Sequence, residues 1–168
     1  MAEIRQLRLE DVTYESWAPF GTIPSDEQTE HDKTDLEFLW HDGHVNFIGH
    51  TNREIEFTAT GGALCDLLNR HDTHTQTLMP FDTDAYAVVA PAAVDFSAPE
   101  HLDTVRAFFL PRLAVVHLAR GTWHWGPYPL AAESVRIFNI QGRGYAQDNG
   151  IAWLARDLGL RLEVLRER

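Results

Sequence analysis

Cysteine is nearly absent from this chain. Cys65 is the only one among 168 residues, so no intrachain disulfide and no cysteine-rich zinc site can form, and the cytoplasm is the expected compartment. Cys65 lies in the apolar run Ala63-Leu64-Cys65-Asp66-Leu67-Leu68, where a thiol is expected to pack rather than react. Long hydrophobic runs are missing too. No stretch approaches the ~20 apolar residues that span a bilayer, and the first residues, Met-Ala-Glu-Ile-Arg-Gln-Leu, lack the basic region and apolar core of a secretory leader. Positive charge is scarce: 14 Lys and Arg against 25 Asp and Glu give a net charge of -11. That balance opposes nucleic acid and anionic membranes as partners, while one well-placed arginine still suffices for a small anionic substrate.

What is present reads as β structure. Ile4–Leu9, Val45–His50, Glu54–Thr60, Thr77–Phe81, Ala85–Ala90, Val105–Leu110, Ala114–Leu118, Val135–Ile140 and Leu160–Leu165 are short runs of strand character separated by turn residues. Leu36–Trp40 is a further candidate, joined to Val45–His50 by Asp42-Gly43, a hairpin signal. Residues 11–17 and 151–157 are expected as short helices or turns, and 63–69 as a helical turn or a connection. The polar stretch 24–35 reads as a solvated loop with His31 exposed, and 141–150 as a Gly-rich loop without phosphate-binding spacing. Many short strands and few helices point to one all-β domain over residues 1–168, a barrel or sandwich whose mouth is of ligand size.

Two segments carry the candidate chemistry. In Arg120-Gly121-Thr122-Trp123-His124-Trp125-Gly126-Pro127 a glycine precedes a histidine by three residues, as where a tight turn feeds a strand whose imidazole enters a barrel mouth. His71-Asp72-Thr73-His74-Thr75-Gln76 heads the Thr77–Phe81 strand and supplies the facing half, with His71 and Gln76 directed inward. Strand alternation puts His74 on the opposite face from His71, hence exposed, unless a bend at Asp72-Thr73 turns both inward. His44 and His50 are placed to enter the same mouth.

These segments, taken with Pro19-Phe20-Gly21-Thr22-Ile23, Trp40-His41-Asp42, Met79-Pro80, Thr104-Val105-Arg106-Ala107-Phe108 and the glycines near Gly142, resemble the ureidoglycolate lyase family. The resemblance implies a cupin-like β-barrel (double-stranded β-helix or jelly roll), a lyase activity in allantoin and purine breakdown, a homodimer, and a divalent metal such as nickel. The chain departs from the family pattern at Ala119, where a histidine is usual, at Trp125, where a second histidine often follows His124, and at His74, where a small residue is usual.

Ureidoglycolate carries hydroxyl, carboxylate and urea nitrogen on one carbon. Its cleavage to glyoxylate and urea needs a base for the hydroxyl proton, assistance to the departing nitrogen and a cation for the carboxylate. Imidazole suits the proton steps and guanidinium the carboxylate. His124 is therefore the candidate base or metal ligand and His71 its partner. Gln76 either bonds substrate or stands in the place of a cupin carboxylate ligand. Arg106, Trp123 and His74 are the candidate substrate-binding residues, Arg106 paired with substrate or with an internal acid, and Trp123 walling the pocket or packing in the core. A metal on His71, Gln76 and His124, nickel or zinc, lacks an anionic protein ligand, so an optional or absent metal is expected. Another cupin enzyme (isomerase, hydrolase or metal-dependent oxygenase) and a non-catalytic binder of small carboxylates are the competing readings. Trp17, Phe20 and Trp153 are expected either to cover a partner subunit or to close the barrel.

Overall fold

The computed structural model describes residues 3–26 and 34–167; His31 lies outside them. In chain order the elements begin with β1 (Glu3–Asp11), α1 (Tyr14–Trp17), β2 (Gly21–Thr22), β3 (Gly43–Thr51), β4 (Glu56–Phe57), β5 (Ala63–Cys65), β6 (Leu67–Arg70), β7 (Gln76–Pro80) and β8 (Ala85–Ala90). They continue with β9 (Arg106–Leu110), β10 (Val116–Leu118), β11 (Trp123–Pro129), β12 (Ser134–Gly142), β13 (Gly150–Trp153), α2 (Leu154–Leu158) and β14 (Leu160–Leu165). The expected all-β class holds: the two α-helices and two 3-10 turns are short, and no helix of the described residues is long and apolar enough to cross a membrane.

A nine-stranded sheet has the order β13-β6-β11-β8-β9-β1-β14-β5-β4, and a five-stranded sheet the order β2-β10-β7-β12-β3. Period-two alternation along β8 explains how they assemble. Ala85, Ala87 and Val89 pack with Leu78, Val116 and Ile137 of the five-stranded sheet, and Tyr86, Val88 and Ala90 pack with Cys65, Trp125 and Leu162 from both flanks of β8's own sheet. A single sheet whose two flanks meet over one face must curl, so the larger sheet wraps one core and the smaller sheet closes over the other, as a half-barrel.

Trp17 and Phe20 stack edge-on against each other and against Phe108 inside the second core, each 1% exposed. They close this chain's own fold and are not available to a partner, whereas Trp153 is 39% exposed. Three other expectations are corrected. Leu36–Trp40 forms no hairpin with β3, which pairs with β12; instead it runs beside Thr73–Thr75, bridging Phe38 to His74. The segment 63–69 is neither a helical turn nor a plain connection but parts of two strands, and of residues 54–60 only Glu56–Phe57 is strand.

Candidate active site

A cavity of about 770 Å³ opens between the two sheets. The larger sheet contributes Leu67 and Asn69 on β6 and His124 on β11, where Asn69 and His124 are cross-strand partners. The smaller sheet contributes Ile48 and His50 on β3, Gln76 on β7 and Gln141 on β12. Tyr145, Ala146 and Asn149 come from the Gly-rich loop after β12, and His71 from the segment before β7.

Alternation on β11 decides which side chains reach this space. His124 turns toward the cavity, while Trp123 and Trp125 turn into the core of the curled sheet. Trp123 packs edge-on against Phe96 and donates its indole N–H to the Val94 carbonyl at 2.7 Å. It is thus a core residue and does not wall the pocket; Trp125, also in that core, reaches the cavity wall. The turn before β11 depends on Gly121, whose φ of +77° is left-handed and where an added Cβ would crowd Asp72 and Ala92.

His71 Nδ1 lies 2.6 Å from the Asp148 carbonyl and His124 Nδ1 lies 3.1 Å from the Thr122 carbonyl. A carbonyl can only accept, so each ring carries its proton on Nδ1 and, when neutral, presents Nε2 as an acceptor. The two rings are 5.3 Å apart. Burial, then the neighbouring His71, pushes His124 down to about 4 against the pull of the Thr122 carbonyl.

His74 is not exposed, as alternation suggested, but 3% exposed and stacked on His71 at 4.6 Å. The bend at Asp72-Thr73 turns both rings inward. Asp148 holds that bend: its carboxylate accepts the Asp72 N–H at 3.1 Å, the Thr73 N–H at 2.7 Å and the Thr73 hydroxyl at 2.5 Å. Burial alone would raise the Asp148 carboxyl, but these bonds outweigh it and hold the group below the usual carboxylate range. Burial, then His71, pushes His74 down to about 4, so the ring is neutral despite the Asp148 carboxylate 3.4 Å away. Its Nε2 is buried without a partner.

Asp148 was not singled out by the sequence; an acid inside a Gly-rich turn, able to cap a distant bend, is the one signal that points to it. Asp148→Asn removes one of the two acceptor oxygens and the charge. The expected result is a loss of about 2 kcal/mol in urea unfolding, with weaker turnover as the bend that turns His71 inward loosens, although the backbone carbonyl that His71 bonds is kept; an unchanged midpoint and rate would disprove the role of the carboxylate in holding the bend.

Gln76 lies on the cavity floor. Its Nε2 donates to Asn139 Oδ1 at 2.9 Å and Gln141 Oε1 at 3.1 Å, and its Oε1 is buried without a partner. Arg106 is not in the site. It makes a two-pronged ion pair with Glu10 of β1, with Nε 2.8 Å from Oε1, so an internal acid rather than a substrate is its partner. His50 lines the cavity and bonds Glu54 at 2.9 Å, whereas His44 bonds the Gln141 carbonyl at 3.1 Å.

Among the described residues no three His, Cys, Asp or Glu side chains come together as metal ligands would. Two imidazoles and the neutral Gln76 oxygen leave a divalent charge without an anionic ligand, so these residues do not fit a resident metal ion.

A family model described as ureidoglycolate lyase matches residues 45–156. A curated protein named ureidoglycolate lyase, from Burkholderia cepacia, is 29% identical over 160 residues, spanning 85% of this chain and 82% of that protein. A solved structure titled as CoII HppE in complex with Tris buffer aligns at 9% identity over 73% of this chain and 62% of that chain. Its TM-score of 0.34 is too low to carry an argument.

Proposed function

Because the chain belongs to the ureidoglycolate lyase family, we propose that it is a lyase that splits a carbinolamide of the ureidoglycolate type into urea and a carbonyl compound, glyoxylate where the substrate is ureidoglycolate. The observation that supports this reading is the placement of His124 and His71 side by side in the cavity lining, ring centroids 5.3 Å apart, each fixed through Nδ1 to a backbone carbonyl.

Cleavage moves one proton and one electron pair. The hydroxyl O–H gives its proton to His124 Nε2, the carbon–oxygen bond becomes a carbonyl, and the carbon–nitrogen pair leaves with the urea nitrogen. That nitrogen takes a proton back from the imidazole pair, so the net proton change is zero. A ring at about 4 holds a proton weakly, so transfer and bond breaking proceed together rather than through a stored imidazolium. Gln76 Oε1 accepts a ureido N–H and orients the leaving group.

Urea and glyoxylate release from racemic ureidoglycolate tests this reading on metal-stripped protein, with and without added nickel. Turnover independent of nickel is expected. Absence of urea release under every condition would sink the lyase reading, and dependence on nickel would replace the acid–base mechanism with a Lewis-acid one.

A further inference from the structure

A third imidazole lines the cavity, and it is held as firmly as the first two. Along β3 the even positions His44, Asn46, Ile48 and His50 are partly buried, while Val45, Phe47 and Gly49 are exposed, so alternation turns His50 inward. Its Nδ1 lies 2.9 Å from Glu54 Oε2. A carboxylate can only accept, so Nδ1 carries the proton and the neutral ring offers Nε2 to the cavity as an acceptor. Burial would raise the Glu54 carboxyl, but the bonds from His50 and from the Thr51 N–H at 2.7 Å prevail and hold it below the usual carboxylate range. The turn that carries Glu54 is tied down in its own right. Asn52 gives its backbone N–H to the Glu133 carbonyl at 2.9 Å and its side-chain amide to the Ala132 carbonyl at 2.6 Å. The Tyr128 ring packs tilted against the imidazole at 4.8 Å.

The strand registers set how far this group stands from the reacting pair. His50 and Gln141 both line the cavity, and Gln141 pairs with His44, so the lining runs about 20 Å along β3 and β12. On β11, His124 and Tyr128 are four residues apart, which is about 13 Å of strand, less what the bulge between Trp125 and Tyr128 takes up. Since Tyr128 packs on His50, a similar distance separates His50 from His124. A ureido carbinol spans about 5 Å from its hydroxyl oxygen to its terminal nitrogen, and a hydrogen bond of about 3 Å at each end extends its reach to about 11 Å. A substrate that gives its hydroxyl proton to His124 therefore brings the far end of its ureido group to His50.

We infer that His50 Nε2 accepts a hydrogen bond from the terminal amino group of the ureido substrate, and that Glu54 is the positioning residue that keeps this nitrogen free to do so. The inference rests on the lyase reading for the substrate class, but it is tested without turnover. N-carbamoylglycine and N-acetylglycine carry the same carboxylate, and neither can react because both lack the hydroxyl. They differ in a terminal amino group against a methyl of similar size. Calorimetry on metal-stripped wild-type protein is expected to show N-carbamoylglycine binding at least about tenfold more tightly. In His50→Leu the ratio should fall to within about threefold. N-acetylglycine should bind this variant no more weakly than wild type, which shows that the cavity is intact. His50→Gln keeps an acceptor and should hold the ratio above that of His50→Leu. Glu54→Gln can give an amide hydrogen to Nδ1 and so move the ring proton to Nε2; it should lower the ratio with the imidazole still in place. Equal binding of the two compounds by wild type, a ratio unchanged in both His50→Leu and Glu54→Gln, or no binding of either compound at about 10 mM would each overturn the proposal. Failure of the lyase reading would appear separately, as absent urea release with the binding ratio intact.

Discussion

Replacing His124 with alanine is expected to lower kcat/KM for urea release by about 10²–10⁴, the range that a positioned proton-transfer group contributes. His124 is singled out over the other histidines by three things at once. It stands on a strand of the larger sheet facing the cavity, its tautomer is fixed by the Thr122 carbonyl, and its burial keeps it unprotonated until about pH 4. The last point adds a signature: wild-type kcat/KM should hold through pH 6 and decline only as the pH nears 4, whereas a solvated imidazole would lose its basic form near 6.5. The fold should survive, because the ring lines the cavity and belongs to neither apolar core, and circular dichroism checks this. His71→Ala should cost a comparable factor, and the double variant little more than either single one, since two rings sharing one proton act as a unit. A loss under about fivefold in His124→Ala, or strictly multiplicative losses in the double variant, would remove this pair from the chemistry.

The strands were legible because each obeys a local rule. In β14, Leu162 and Val164 are fully buried on one face, and β8 needs apolar residues at every position because both of its faces are covered. His124 and His71 were legible for a similar reason, since a glycine turn before a strand and a histidine at a strand head each fix a direction within a few residues. The rest depends on partners far along the chain. Asp148 meets Thr73 across 75 residues, and without that contact nothing local says that the chain bends and that His74 turns inward. For Arg106 the sequence leaves substrate and an internal acid equally open as partners, because Glu10, 96 residues away, reaches it only through the parallel pairing of β1 with β9. The Gly-rich loop has no phosphate-binding pattern and nothing local that marks it as part of a site, yet it delivers Tyr145, Asp148 and Asn149. Its function lies in where β12 ends, which composition does not encode.

The inward turn of His74 has a thermodynamic consequence that a surface histidine would not have. In the unfolded chain its imidazole takes up a proton near pH 6.5, while in the folded chain burial and the adjoining His71 ring defer this to about 4. Between those values the unfolded state binds more protons, so folding stability rises with pH, is fully present at neutrality and drains away on acidification. For this one ring the loss comes to about 2 kcal/mol between pH 7 and 5 and about 3 kcal/mol by pH 4. His117, lowered by burial, and His124 act in the same direction, and Asp148 adds its share only as the pH falls below the usual carboxylate range. A single variant separates the His74 contribution from these. His74→Gln keeps a polar side chain of similar reach over Gly142, where the imidazole now packs, but has no proton to refuse. Urea unfolding midpoints recorded from pH 7.5 to 5 should therefore fall less steeply in the variant than in wild type, by about 2 kcal/mol over the interval, whatever the variant costs at neutrality. Parallel pH profiles would mean that His74 titrates as a solvated group, and that the stacked, desolvated pair of imidazoles is not how the folded chain holds its site.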